Sequence, residues 1–167
     1  MNNIVLIGMP GSGKSTVGVL LAKMLGMNFL DTDLLIQQQE GMKLYEILEK
    51  KGNAYFAKVE DEVNASIRAE STVIATGGSV VYGRAAMEHL KKIGTVVYLK
   101  VPIRELERRI RNFATRGIRM EQGQTLVDLY AERKPLYEQY ADLTVATGGS
   151  GLQRNAEKII QALGEFA

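Results

Sequence analysis

The sequence predicts an α/β fold, a parallel sheet with helices on both faces. Three observations carry that expectation. Short apolar runs of strand length alternate with longer stretches of helical periodicity along the whole chain. No β-hairpin signal joins consecutive apolar runs, so neighbouring strands need helical crossovers. The 167 residues are 46% hydrophobic and 24% charged, the mix of a globular domain with one sizeable core. Neither a repeat nor a linker interrupts the alternation, so we read one domain over 1–167.

The elements follow in order. Asn3-Ile4-Val5-Leu6-Ile7 is a buried strand run that ends at Gly8. Over 14–25, Val17, Leu20, Leu21, Met24 and Leu25 recur at helical spacing, and Gly26 stops the helix. Asn28-Phe29-Leu30-Asp31 is a second short strand, and 33–40 a helix ending at Gly41. Two further helices are expected at 44–50 and 55–68. The β-branched run 72–76 leads into Gly77-Gly78 and is the third strand. A helix over 84–92 precedes a fourth strand at 95–99. Pro102 suits the first turn of the next helix, which carries Leu106 and Ile110 on one face. A polar stretch over 115–124 breaks the helical pattern, which resumes over 126–140. A last strand at 143–145 and a last helix at 152–166 complete the chain.

Composition excludes several chemistries. There is no cysteine, hence neither disulfides nor thiolate metal sites, and His89 is the only histidine. No apolar run reaches the roughly 18–20 residues of a membrane-spanning helix, and the apolar start from Ile4 to Ile7 is too short for a secretory signal. We therefore expect a cytoplasmic, monomeric protein without a membrane partner. A net charge of +2 is too small to argue for nucleic acid. His89 reads as a surface or boundary residue, and Tyr130, Tyr137 and Tyr140 as packing residues of one helix.

Gly8-Met9-Pro10-Gly11-Ser12-Gly13-Lys14-Ser15-Thr16 matches G-x-x-x-x-G-K-[ST] after a strand and before a helix, the context that confirms a phosphate loop. Gly11, Ser12 and Gly13 belong to the turn that aims backbone N–H groups at phosphate, beside the positive end of the helix. Lys14 reaches the β- and γ-phosphates, Ser15 offers a hydroxyl to Mg²⁺, and Thr16 closes the motif. ATP and Mg²⁺ are thus the expected cofactors. Asp31-Thr32-Asp33 sets two carboxylates at the end of the second strand, suited to Mg²⁺ on one side and a hydroxyl on the other. An Asp33 that merely caps a helix is the competing reading. Thr76-Gly77-Gly78-Ser79 ends the third strand, either as an anion- or hydroxyl-binding turn or as a plain connection. Arg109 or Arg111 is a candidate contact to the nucleotide.

These motifs, in this order over nearly the whole length, resemble the shikimate kinase family. Phe29-Leu30-Asp31-Thr32-Asp33 resembles its DTD segment, which implies water-mediated Mg²⁺ binding for Asp31 and acceptor-hydroxyl binding for Asp33. Ala75-Thr76-Gly77-Gly78 resembles its glycine-rich turn, implying acceptor contacts at Gly77, Gly78 and Ser79. Arg116 falls at the lid arginine, within a lid of about 112–124, which implies a catalytic charge on the γ-phosphate. Glu132-Arg133-Lys134-Pro135-Leu136-Tyr137 resembles the ERxPLY segment and assigns the acceptor's carboxylate to Arg133. The Gly148-Gly149-Ser150-Gly151 loop falls at the adenine-binding loop. The implied fold is the nucleoside monophosphate kinase type, with sheet order 2-3-1-4-5.

Three departures fall in the acceptor pocket or its lid. Ala57 stands where FRxxE supplies a second carboxylate-binding arginine, the third glycine of the turn is Ser79, and RPLL is Arg116-Gly117-Ile118-Arg119. Lys58 points about 100° away on the helix, whereas Arg119 offers compensation from the lid. The sequence thus predicts an ATP-dependent kinase of a small hydroxy acid, with shikimate as first choice and homoserine or gluconate as alternatives. A nucleotide-binding regulator without transfer activity is a competing class, against which Asp33 and Arg133 speak.

Overall fold

The computed structural model describes residues 2–110 and 117–166. Five parallel strands, β1 (Asn3–Ile7), β2 (Asn28–Asp31), β3 (Thr72–Ala75), β4 (Gly94–Lys100) and β5 (Leu143–Ala146), form one sheet in the order β2-β3-β1-β4-β5. Both the class and the strand order are those expected.

The helices are α1 (Lys14–Leu25), α2 (Thr32–Glu40), α3 (Leu44–Ala65), α4 (Arg84–Ile93), α5 (Ile103–Arg109), α6 (Leu126–Tyr140) and α7 (Leu152–Phe166), with a 3₁₀ turn at Val80–Tyr82. Alternation along β1 divides the core. Ile4 and Leu6 pack with Val17 and Leu21 of α1 and Ile159 of α7. Val5 and Ile7 face the opposite layer, with Met87 and Leu90 of α4 and Leu129 and Tyr137 of α6. A third cluster, Ile36, Ile47, Phe56, Val59 and Val63, joins α2 to α3.

Some boundaries differ from expectation for local reasons. The helices expected at 44–50 and 55–68 form the single element α3, broken in direction at Gly52, whose φ of 84° and ψ of 171° interrupt the helical backbone. Pro102 caps α5 rather than lying in its first turn, and Ile110 falls just past that helix while staying buried. Within the polar stretch, residues 117–124 have more to bury than their composition suggests: Ile118 joins the core and the Met120 carbonyl accepts from Asn53 Nδ2 at 3.0 Å. His89 is half-buried on α4 and meets the Ile67 carbonyl at 2.6 Å, a tie between α4 and the segment after α3.

Because every strand runs the same way, the turns after β1, β2 and β3 all open at one edge of the sheet. Among the described residues, no helix is long and apolar enough to cross a membrane.

Candidate active site

A cavity of about 520 Å³ lies at that edge, between the loop after β1, the turn after β3, and helices α3 and α6. Its first wall is the phosphate loop. Gly13, the residue before α1, adopts a left-handed conformation with φ of 92°, and no side chain caps the helix. The leading N–H groups of α1 are thus left for an anion. Lys14 folds back along the loop, its Nζ donating to the Gly8 and Met9 carbonyls at 2.7 and 2.9 Å. Gly11, Gly13, Lys14, Ser15 and Thr16 line the cavity, while Ser12 is buried inside the loop, near Lys14 Nζ at 3.5 Å. From α5, Arg109 Nη1 donates to the Gly11 carbonyl at 2.9 Å, and its other nitrogen pairs with Glu105 at 2.5 Å. Gly148 lies on that same side, where an added Cβ would come within 2.7 Å of Pro102 and 3.3 Å of Glu105.

The two aspartates divide their work. Asp31, not Asp33, caps α2: its Oδ1 accepts from the Asp33 N–H at 2.9 Å. Its Oδ2 accepts from Ser15 Oγ at 2.9 Å. This hydroxyl–carboxylate pair beside the phosphate loop fits Mg²⁺, a hard cation that keeps several waters and takes one or two protein oxygens besides phosphate. No cluster of three acidic or histidine side chains competes for a metal among the described residues. Asp33, released from capping, lines the cavity with Oδ1 shielded from solvent and, among the described residues, without a hydrogen-bond partner. Burial pushes its carboxyl up to about 6, Asp31 adds repulsion, and Lys14 pulls the other way.

The far wall is built from three elements. Just past β3, Thr76 bonds through its N–H and Oγ1 to the Leu6 carbonyl at 3.2 and 2.7 Å, which carries the chain beyond the strand end into Gly77-Gly78. Space dictates both glycines. A Cβ on Gly77 would lie 2.6 Å from Asp33 Oδ1 and 2.9 Å from Glu60 Oε2; one on Gly78 would lie 2.7 Å from Pro10 Cδ and 3.0 Å from Arg133 Nη1. On α6, Arg133 and Tyr137 are four residues apart, hence on one face, and both are buried. Tyr137 stacks on Tyr98 with ring centroids 5.0 Å apart, and its hydroxyl donates to the Gly78 carbonyl at 2.6 Å. Packing, the role expected for this tyrosine, is therefore joined by positioning of the turn.

Arg133 is 1% exposed, yet among the described residues no acid pairs with it. Its hydrogen bonds run to neutral groups, the Tyr82 hydroxyl at 3.4 Å and the Arg119 carbonyl at 2.5 Å. A buried guanidinium without a counter-ion, facing a cavity, is a place for an anion.

Sequence reasoning passed over Glu60. It lies on the apolar face of α3 with Phe56, Val59 and Val63, and an acid at that spacing is itself a signal. Ser79 Oγ donates to its Oε1 at 2.6 Å. Burial holds its carboxyl at about 7, although Ser79, Arg119 and Arg133 pull it down. Arg111 and Arg116, and with them the first part of the expected lid, lie outside the described residues.

A sequence model of the family described as Shikimate kinase matches residues 10–164. The chain belongs to the shikimate kinase family. It is 39% identical over 165 residues to a shikimate kinase of Nitrosomonas europaea, covering 96% of this chain and 78% of that one. A shikimate kinase of a Sulfurihydrogenibium species is 40% identical over 138 residues, covering 82% and 83%. Among solved structures, the Acinetobacter baumannii shikimate kinase in complex with shikimate superposes with a TM-score of 0.88 at 34% identity, over 99% of this chain and 94% of that one. The Aquifex aeolicus shikimate kinase gives 0.82 at 33%, over 97% and 96%. A gluconokinase from Sinorhizobium meliloti 1021, at 18% identity and a TM-score of 0.51 over 99% and 93%, shares the fold alone. As a member of the shikimate kinase family the chain is a kinase, and a regulator without transfer activity is set aside.

Proposed function

We propose that this protein transfers the γ-phosphoryl group of ATP to a hydroxyl of shikimate. One observation supports the reading above all: buried Arg133, without a counter-ion among the described residues, and Asp33 Oδ1, without a hydrogen-bond partner among them, share one cavity with the phosphate loop. An acceptor with a carboxylate at one end and a hydroxyl at the other answers both. The turn between them, Gly77-Gly78, brings backbone rather than side chain against the acceptor.

In this mechanism the carboxylate is held by Arg133, and the hydroxyl faces Asp33. The hydroxyl oxygen forms a bond to the γ-phosphorus as the bond from that phosphorus to the β–γ bridging oxygen breaks. The hydroxyl proton passes to Asp33, whose carboxyl, at about 6, is ionised at neutral pH yet basic enough to accept it. Lys14 and the N–H groups at the start of α1 balance charge on the phosphates, and Arg109 steadies the loop through Gly11. Ser15 and Asp31 would hold Mg²⁺, which when bound neutralises charge on the phosphate oxygens. Positioning and charge neutralisation thus supply the rate.

The test is an acceptor panel of shikimate, homoserine and gluconate with ATP and Mg²⁺, run from pH 5 to 8. Shikimate turnover should rise through about pH 6 as Asp33 ionises. Asp33→Asn should remove that limb and lower kcat by roughly 10²–10⁴. Turnover of homoserine or gluconate with none of shikimate would overturn the assignment.

A further inference from the structure

A second guanidinium reaches the acceptor end of the cavity. Arg119 lies in the segment before α6, and like Arg133 it lies against Tyr82: their Cζ atoms stand 4.9 and 5.3 Å from that ring's centroid. The two are also joined through the backbone, since Arg133 Nη2 donates to the Arg119 carbonyl at 2.5 Å. On the other side the segment is pressed against α3. A Cβ on Gly117 would lie 2.6 Å from Leu44 Cβ and 3.0 Å from the Tyr45 nitrogen, and Ile118 is buried. Packing therefore fixes the backbone from which Arg119 projects.

Arg119 borders two cavities. It lines the main one, and also a neighbouring space of about 250 Å³ shared with Ala57, Glu60 and Tyr82. The small side chain at position 57 leaves this space open on the α3 side. Among the described residues Arg119, like Arg133, forms no ion pair. The nearby acid is Glu60, already bonded by Ser79 and held partly protonated at neutral pH by burial. Asp61 and Arg84 also border the smaller space and Asp33 the larger, yet among the described residues none of these acids pairs with Arg119 or Arg133, so two guanidiniums at this wall are left for an anion.

We propose that Arg119 is a specificity-determining residue of the acceptor site, binding the acceptor's carboxylate jointly with Arg133 beside Tyr82. This rests on the functional reading above. It makes the segment before α6, rather than α3, the source of the second cation. Ser79 belongs to the same arrangement, because its hydroxyl occupies a carboxylate oxygen of Glu60 that would otherwise compete for Arg119.

The experiment measures KM and kcat for shikimate, shikimate methyl ester and ATP in wild type, Arg119→Ala, Arg119→Met, Arg133→Ala and the double variant Arg119→Ala/Ala57→Arg. Wild-type turnover of shikimate is read first; its absence overturns the functional reading and this inference with it. In an active enzyme, Arg119→Ala should raise KM for shikimate roughly 10–100-fold, the loss of one charge-assisted contact, with KM for ATP within about twofold. Preference for the acid over the ester should fall by the same factor, which a purely structural role would not produce. Adding Ala57→Arg should recover about tenfold or more, since it supplies a guanidinium to the same space from α3. Arg119→Met keeps the length of the stem without the charge and should match Arg119→Ala, so the test survives a misfolded alanine variant. A shikimate KM within about threefold of wild type in the folded Arg119 variants, while Arg133→Ala raises it, would overturn the role of Arg119 alone.

Discussion

Replacing Glu60 with glutamine should make the ligand-free protein clearly more stable at pH 8 and change it far less at pH 5. Glu60 is buried on α3 and holds its proton up to about pH 7, against an ordinary value of 4.5. Between those two values the unfolded chain is ionised at this residue while the folded chain still binds the proton. The folded state binds more protons, so stability falls as pH rises through that window. Each pH unit there costs about 1.4 kcal/mol, or about 3 kcal/mol across it. Glutamine is nearly isosteric, its amide oxygen can accept from Ser79 Oγ, and it never ionises. In a chain of this size about 3 kcal/mol corresponds to roughly 6–12 °C in Tm. Thermal denaturation at pH 5, 6, 7 and 8 measures it. Wild type should lose stability between pH 5 and 7 faster than the variant, with Asp33 leaving a smaller slope common to both. Parallel curves over that range would refute the reasoning, because they would mean that Glu60 ionises as freely in the folded protein as in the unfolded one.

Two further outcomes follow from the two walls of the cavity. Lys14→Ala should lower phosphoryl transfer by ~10²–10³ with an unchanged circular dichroism spectrum, because its ammonium lies along the loop proposed to hold phosphate, against the Gly8 and Met9 carbonyls; turnover within a few-fold of wild type would refute the phosphate-loop assignment. Gly78→Ala must displace either Pro10 or Arg133, whose atoms lie 2.7 and 3.0 Å from the added Cβ, so KM for the acceptor should rise about tenfold or more in steady-state kinetics.

The features legible in the sequence are those encoded by a few consecutive residues. Gly8 to Thr16 forms its loop because the motif's glycines supply the left-handed turn ahead of α1. The same locality made the strands and most helices readable, and the parallel sheet then brought the ends of β1, β2 and β3 to one edge. Even within Asp31-Thr32-Asp33, however, the division of labour came from tertiary structure: Asp31 caps α2 and meets Ser15, sixteen residues away, which frees Asp33 to face the cavity. The far wall of the cavity depends on distant segments. Glu60 meets Ser79 because α3, bent at Gly52, packs against the turn after β3. Tyr137 orients Gly78 across 59 residues of chain. Arg119 and Arg133 converge on Tyr82 only because α6 and the segment before it close over the 3₁₀ turn. A backbone turn is decided by the conformational preferences of its own residues, whereas the approach of side chains from three elements is decided by how those elements pack.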